Sequence, residues 1–336
     1  MPDDRLMSDL GIKTRPPEAV SESWTAELIR EVGPETVVKT NEPLSRRTTL
    51  RVGGPADALV EPASESDLRA VLRFCRVRSL PFFVLGRGSN LLARDGGYRG
   101  VVICLAHPHF RRIEVEGTQL RCGAGARLKA VALEARRFGL AGLEFLEGIP
   151  GSVGGALRMN AGAMGGATFD VVQSVRLMDG EGRVREWVAA EMKPAYRECA
   201  SLKTYLALEA IFRGEPSARE EIEKRMSQFS QKRWSSQPAA PSAGCTFKNP
   251  PGIPAGRLIQ ELGLKGMRCG GASVSMEHGN FIVNDGTATA QDILDLIELI
   301  RQRARQERGV DLEPEVEIIG EPVGAISAAA GAQSWL

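Results

Sequence analysis

Glycine crowds one stretch of this chain far beyond what a hairpin or a helix requires. Gly148-Ile149-Pro150-Gly151-Ser152-Val153-Gly154-Gly155-Ala156 is followed closely by Asn160-Ala161-Gly162. So many permissive residues in one place predict a backbone that wraps around a flat or phosphorylated ligand with its N–H groups turned inward. A crowded strand crossing, where glycine is needed only because two backbones meet, is the alternative. A smaller cluster, Gly86-Arg87-Gly88-Ser89-Asn90-Leu91, follows an apolar run. It is not a Rossmann fingerprint, which needs glycine at the sixth position and a helix directly after it. Here the sixth position is Leu91, and the segment continues through Asp95-Gly96-Gly97 towards another strand. Its unobstructed N–H groups still suit a diphosphate, and a plain tight turn fits equally well.

The periodicity around these clusters predicts an α+β chain. A strand over 58–60, a capping box of Ser64 with Asp67, a helix carrying Leu68, Val71, Leu72 and Cys75, and a strand over 82–85 form a βαβ unit. Further along come a strand over 101–104, a hairpin around Glu116-Gly117, a helix over 126–138, a hairpin at Asp179-Gly180 and a strand over 206–212. Gly214-Glu215-Pro216 marks a boundary. Beyond it lie a charged helix over 218–234, a strand over 281–283, and a helix capped by Thr289 with Ile293, Leu296, Ile297 and Ile300 on one face. The expected division is a loosely attached extension over 1–40, units over 41–104, 105–214 and 215–322, and a disordered Ala/Gly/Ser-rich tail over 323–336.

Charge and composition narrow the function. The chain has 336 residues, with 43 basic and 42 acidic ones interspersed for a net charge of +1, which favours neither nucleic acid nor an anionic membrane surface. The start, Met1-Pro2-Asp3-Asp4-Arg5, has no secretory apolar core, and no run approaches the roughly 20 apolar residues of a membrane span; a cytoplasmic protein is expected. Six cysteines with no Cys-x-x-Cys pair predict reduced thiols rather than zinc or disulfides. Three histidines, two of them flanking Pro108, suit neither a metal centre nor a Ser-His relay.

Three short segments carry the chemistry. Ser242-Ala243-Gly244-Cys245-Thr246-Phe247-Lys248-Asn249-Pro250 holds a lone thiol in a glycine-preceded turn, Tyr196-Arg197-Glu198-Cys199 supplies a guanidinium, and Leu312-Glu313-Pro314-Glu315-Val316 supplies carboxylates. An acid, a guanidinium and a carboxylate brought together suit protonation of a developing carbanion. Taken singly, each has a plainer reading: a surface ion pair for the arginine, exposed carboxylates for the glutamates, a structural thiol for the cysteine.

Taken in order, Leu85-Gly86-Arg87-Gly88-Ser89-Asn90, Gly148 to Gly155, Tyr196-Arg197, Phe247-Lys248-Asn249-Pro250 and Leu312-Glu313-Pro314-Glu315-Val316 resemble the UDP-N-acetylenolpyruvoylglucosamine reductase family. The resemblance runs from about residue 41 to 320 and implies a bacterial flavoenzyme of peptidoglycan precursor synthesis. Such an enzyme uses NADPH and FAD to reduce UDP-N-acetylglucosamine enolpyruvate to UDP-N-acetylmuramate. Also implied is a vanillyl-alcohol-oxidase/PCMH-type fold, with two FAD-binding subdomains (41–104 and 105–214), a C-terminal UDP-sugar domain (215–322) and a monomeric state. Its FAD contacts would come from Gly86, Arg87, Gly88, Ser89, Asn90 and Leu91, from Gly148, Ile149, Pro150, Gly151, Ser152, Gly154 and Gly155, and from Asn160, Ala161 and Gly162. The short interval between Arg197 and Cys245 is similar to the family's second type, which lacks an inserted substrate-covering loop and its tyrosine. That leaves open which group shields the UDP diphosphate.

By the same resemblance, Arg197 and Glu315 match the catalytic pair that stabilises the enediolate formed when hydride reaches the substrate. Cys245 stands where the family usually has the serine that protonates the α carbon. Tyr196 is expected to line the substrate or nicotinamide face, with Asn249 and Lys265 holding uridine and diphosphate. A thiol, with a reference pKa near 8.5, is a stronger acid than an alcohol. Neighbouring Lys248 or Arg197 is expected to lower that value, giving a rate that falls at mildly alkaline pH and a thiol open to reversible oxidation. Two other readings stay open: an FAD-linked oxidase of another small molecule, and a UDP-sugar-binding protein that has lost catalysis.

Overall fold

The computed structural model describes residues 21–324. The acidic start and most of the Ala/Gly/Ser-rich tail lie outside the described residues.

In the first sheet, Pro55–Glu61 and Phe82–Leu85 both pair in parallel with the central strand Tyr98–Cys104, and Val37–Pro43 lies antiparallel on the edge. The apolar runs of these strands are continuous because both faces are covered. Ala58, Val60, Val101 and Ile103 face one core with Leu68, Val71, Leu72 and Cys75 of helix Glu65–Val77. Their alternates Ala56, Leu59, Val102, Phe83 and Leu85 face a second core with Leu44, Leu91 and Ile319. As predicted, Ser64 caps the helix: its hydroxyl accepts from Asp67 N at 3.1 Å.

The expectation of a loose extension over 1–40 fails for its described part, residues 21–40. Trp24 and Leu28 sit one turn apart on helix Ser21–Glu31 and are both buried, with Trp24 6.4 Å from the Phe74 ring. Two apolar side chains spaced i, i+4 make an inner face even on a helix this charged. The edge strand Val37–Pro43 then adds a full ladder of backbone pairing.

The second unit is an antiparallel sheet in the order Val184–Val188, Val172–Met178, Leu206–Arg213, Gln119–Gly123, Ile113–Glu116. Helix Leu128–Arg137 packs on it, and helix Arg219–Ser236 buries Ile222 and Met226 in the same core. Inside the glycine-rich segment a short helix, Val153–Arg158, forms with Ser152 as its N-cap. The C-terminal sheet orders Ser242–Cys245, Phe281–Asn284, Ala272–Val274 and Arg268–Cys269, backed by helices Ala255–Glu261 and Ala290–Arg308.

This last unit is tied to the first by backbone as well as side chains. Strand Glu317–Ile319 pairs in parallel with Leu91–Ala93, and Asp95 accepts from Ala290 N and Gln291 N at 2.9 and 3.0 Å. Asn284 Nδ2 donates to Leu50 O at 2.9 Å, and Thr49 Oγ1 to Ser242 O at 2.6 Å. We expect Leu28→Ala to destabilise the protein by about 2–5 kcal/mol in urea unfolding. Val77→Ser, at a position 74% exposed, should stay within about 0.5 kcal/mol.

Candidate active site

A cleft of about 690 Å³ opens where the three units meet, and Arg197, Cys245 and Glu315 all line it. Each arrives on a different device. Arg197 occupies the two-residue turn between Pro194–Ala195 and Glu198–Cys199 and adopts φ +58, a left-handed conformation that costs a side chain of this kind about 1–2 kcal/mol. Cys199 steadies the hairpin from behind, its thiol donating to Met192 O at 3.3 Å.

Cys245 and Glu315 are brought together by backbone pairing. Glu315 N donates to Thr246 O at 2.8 Å and Lys248 N to Glu313 O at 2.9 Å. Asn280, fully buried, clamps this pairing from the other side: Thr246 N donates to its carbonyl at 2.7 Å, and its side-chain amide closes both polar groups of Phe247 at 2.8 and 2.9 Å. Asn90 joins the first glycine loop to the same strand, donating from Nδ2 to Glu315 O at 3.0 Å and accepting from Glu317 N at 3.1 Å.

The Arg197 guanidinium reaches Glu315 at 2.8 Å through Nε. That buried Nε–H has no well-aligned acceptor, so the contact is Coulombic and the guanidinium retains unused donor capacity. Burial raises the Glu315 pKa, against the opposing pull of Arg197 and then Lys248. The thiol departs from the sequence expectation. Burial first, and the Glu315 carboxylate second, push Cys245 up to about 11, outweighing Arg197 and a contact with Asn280. Lys248, whose ammonium pairs with Glu313 at 2.5 Å, is not among the groups that act on the thiol. Cys245 is therefore a protonated thiol at neutral pH, neither an alkaline-sensitive acid near pH 8 nor an oxidation-prone thiolate.

The glycine segments form the facing wall. Gly86, Arg87, Gly88, Ser89, Asn90 and Leu91 line the cleft, as do Gly148, Ile149, Pro150, Gly151, Ser152, Gly155, Ala161 and Gly162. Gly154 lines an adjoining cavity of about 350 Å³. Asn160 lines neither and is spent on structure, accepting from Phe169 N and donating to Ala195 O, both at 3.1 Å. The two readings of the glycines separate by position. Gly88 is required by the fold, since it has φ +61 and an added Cβ would lie 2.2 Å from Arg47 O. At Gly148 a Cβ would meet nothing within 4 Å, and at Gly151 and Gly155 its nearest neighbour would lie at 3.5 Å, an ordinary contact. The fold would accept side chains there, so their absence keeps the wall open to a ligand.

Charge matches that wall. The adjoining cavity takes Arg46, Arg87 and Arg111 into its lining, and none of them pairs with a carboxylate among the described residues. Burial, then Arg127 and Arg111, lower the Arg87 pKa. An anionic dinucleotide diphosphate, such as that of FAD, would relieve this crowding of cations.

Tyr196, Asn249 and Lys265 are not on the cleft wall. Tyr196 is exposed with the Arg197 guanidinium 5.1 Å from its ring, Asn249 caps helix Ala255–Glu261 through a 3.0 Å bond from Ala255 N, and Lys265 lies near Glu277 and His278. The sequence reading overlooked Arg158 and Glu317, which pair across the cleft at 3.1 Å. Glu317 lies just beyond Glu315, at the start of strand Glu317–Ile319.

Comparison with known proteins covers most of the chain. A family model described as FAD binding domain matches residues 56–187, and one described as UDP-N-acetylenolpyruvoylglucosamine reductase, C-terminal domain, matches residues 237–319. The UDP-N-acetylenolpyruvoylglucosamine reductase of Caldanaerobacter subterraneus subsp. tengcongensis is 43% identical over 295 residues, covering 87% of this chain and 97% of its own. That of Clostridioides difficile is 44% identical over 286 residues, covering 84% and 94%. The crystal structure of UDP-N-acetylenolpyruvylglucosamine reductase (MurB) from Thermus caldophilus superposes with a TM-score of 0.73 at 39% identity, covering 84% of this chain and 98% of that one.

Two outcomes are expected. Alkylation of Cys245 by iodoacetamide, followed by peptide mapping, should be slow at pH 7.5 and rise about tenfold per pH unit towards pH 11, because the thiolate fraction grows until the pH meets the raised pKa; a plateau below pH 9 would contradict the buried thiol. Gly151→Ala and Gly155→Ala should leave the melting temperature of flavin-free protein level or higher, yet lower retained flavin, read as the ratio of 450 to 280 nm absorbance.

Proposed function

Because the chain belongs to the UDP-N-acetylenolpyruvoylglucosamine reductase family and carries an FAD-binding domain, we propose that it reduces UDP-N-acetylglucosamine enolpyruvate to UDP-N-acetylmuramate with NADPH, in peptidoglycan precursor synthesis. The observation that carries this reading is the meeting of a protonated thiol, a guanidinium and a half-buried carboxyl in the cleft that the glycine wall lines. FAD, when bound against this wall, would supply the hydride, drawn from NADPH, that the β carbon of the enolpyruvyl group receives.

What this chain's residues do follows from their geometry. The substrate carboxylate gains negative charge as the α,β double bond is broken, and the spare donors of Arg197 face that charge. Glu315, in Coulombic contact with Arg197 at 2.8 Å, keeps the guanidinium in register for that charge. Cys245 gives its proton to the α carbon, and the resulting thiolate is reprotonated from solvent. A raised pKa suits this task, since the donor stays loaded throughout the neutral range. Gly86 to Leu91 and Gly148 to Gly155 would hold the cofactor, with Arg87 and Arg111 opposing the charge of its diphosphate. Asn249 and Lys265, although off the cleft wall, remain our candidates for the outer parts of the UDP group, and Tyr196 for its entrance.

We read the protein as a cytoplasmic monomer acting on small molecules, with no nucleic-acid or membrane partner. Its balanced charge and six free thiols support that reading. No helix among the described residues is long and apolar enough to cross a membrane.

Purified protein should be yellow and should oxidise NADPH only when the enolpyruvyl UDP-sugar is present. Cys245→Ala should lower kcat by about 10²–10⁴, the usual contribution of a positioned acid, and Cys245→Ser should recover much of it. A yellow protein indifferent to this substrate would overturn the assignment.

A further inference from the structure

The long helix Arg219–Ser236 turns Ile222, Met226 and Phe229 towards the core at helical spacing. The next position on that stripe is Arg233, a cation where the pattern calls for an apolar side chain. Arg233 lines the cleft and pairs with no carboxylate among the described residues. Burial lowers its pKa, and Glu147, the acid that acts on it, is already engaged by Lys129 at 3.1 Å. Beside it stands Trp234, which lines the same cleft and yet is 69% exposed. An indole has more to gain from burial than almost any other side chain, and the core makes no use of this one.

Location adds to this. From Trp234 the chain runs through Gln237-Pro238-Ala239-Ala240-Pro241, stiffened by two prolines, directly into strand Ser242–Cys245. Several residues of this linker also line the cleft, so a molecule lying on the indole lies on the path to the thiol. The arrangement offers a flat apolar face next to an uncompensated guanidinium, which is what a nucleobase followed by a diphosphate requires.

We propose that Trp234 and Arg233 form the platform for the incoming nucleotide, the indole stacking on its base and the guanidinium facing its diphosphate. This takes the place of the covering loop whose absence the sequence suggests. The inference rests on the reductase reading for which nucleotides arrive: the UDP-sugar and NADPH both carry a base and a diphosphate.

The test uses the flavin-loaded enzyme with Trp234→Ala, Trp234→Phe and Arg233→Gln, measuring KM for each substrate separately. It also titrates UDP and NADP+ against the fluorescence difference between wild type and Trp234→Phe. Trp234→Ala should raise KM about tenfold for at least one nucleotide, equivalent to about 1.4 kcal/mol, with kcat within twofold and flavin absorbance unchanged. Trp234→Phe should restore most of the loss, and Arg233→Gln should raise the same KM. A rise confined to the UDP-sugar places uracil on the indole, and one confined to NADPH places the pyridine nucleotide there; either supports the platform. Both KM values within twofold of wild type, or a rise accompanied by flavin loss, would overturn it. If no substrate-dependent turnover exists, the reductase reading fails, while quenching of Trp234 by UDP or NADP+, or its absence, still decides the platform.

Discussion

The parallel pairing of Glu317–Ile319 with Leu91–Ala93 is the constraint on which the rest of the site depends. It brings the end of the C-terminal unit back into the first, immediately after the loop Gly86 to Asn90 and immediately after Glu315. A carboxyl and the glycine loop that lines the cleft are thereby fixed in one frame. Asn90 reinforces the register from within the loop, and the pairing of 313–315 with 246–248 carries the frame on to Cys245. Only Arg197 comes from elsewhere, on a short hairpin whose strained turn projects it into the cleft. Preorganisation of this kind removes the cost of gathering charged groups at the moment of reaction.

Burial then sets the chemistry. The same desolvation that keeps a proton on Cys245 raises the pKa of Glu315, and the Glu315 carboxylate further disfavours the thiolate. Arg197 moderates both without reversing either. A serine at this position would hold its proton at any physiological pH. A cysteine does so here with margin, because partial burial and the neighbouring Glu315 carboxylate raise its pKa further above neutrality.

Local pattern was well read from the sequence, and long-range geometry was not. Helix Glu65–Val77 with its Ser64 cap, helix Ala290–Arg308 with its Thr289 cap, and the hairpin turning at Asp179 are all written in residues a few positions apart. The resemblance also marked the three residues that meet in the cleft. Docking of Trp24 and Leu28 was missed because a mostly charged helix signals its inner face with only two residues. The return strand was missed because pairing partners more than 200 positions apart leave no local periodicity. The expectation for the thiol failed for a related reason: Lys248 is near Cys245 in sequence, but burial and the carboxylate of Glu315, 70 positions away, decide the outcome.

The central claim is that Cys245 acts only in the second half of the cycle, as the proton donor to substrate. Stopped-flow measurement of the two half-reactions in Cys245→Ala tests it most directly. The account predicts that NADPH bleaches the flavin at the wild-type rate, while return of the 450 nm absorbance on adding the enolpyruvyl UDP-sugar is slowed at least a hundredfold, the lower end for loss of a positioned acid. Equal slowing of both halves, or undiminished return of colour, would contradict it.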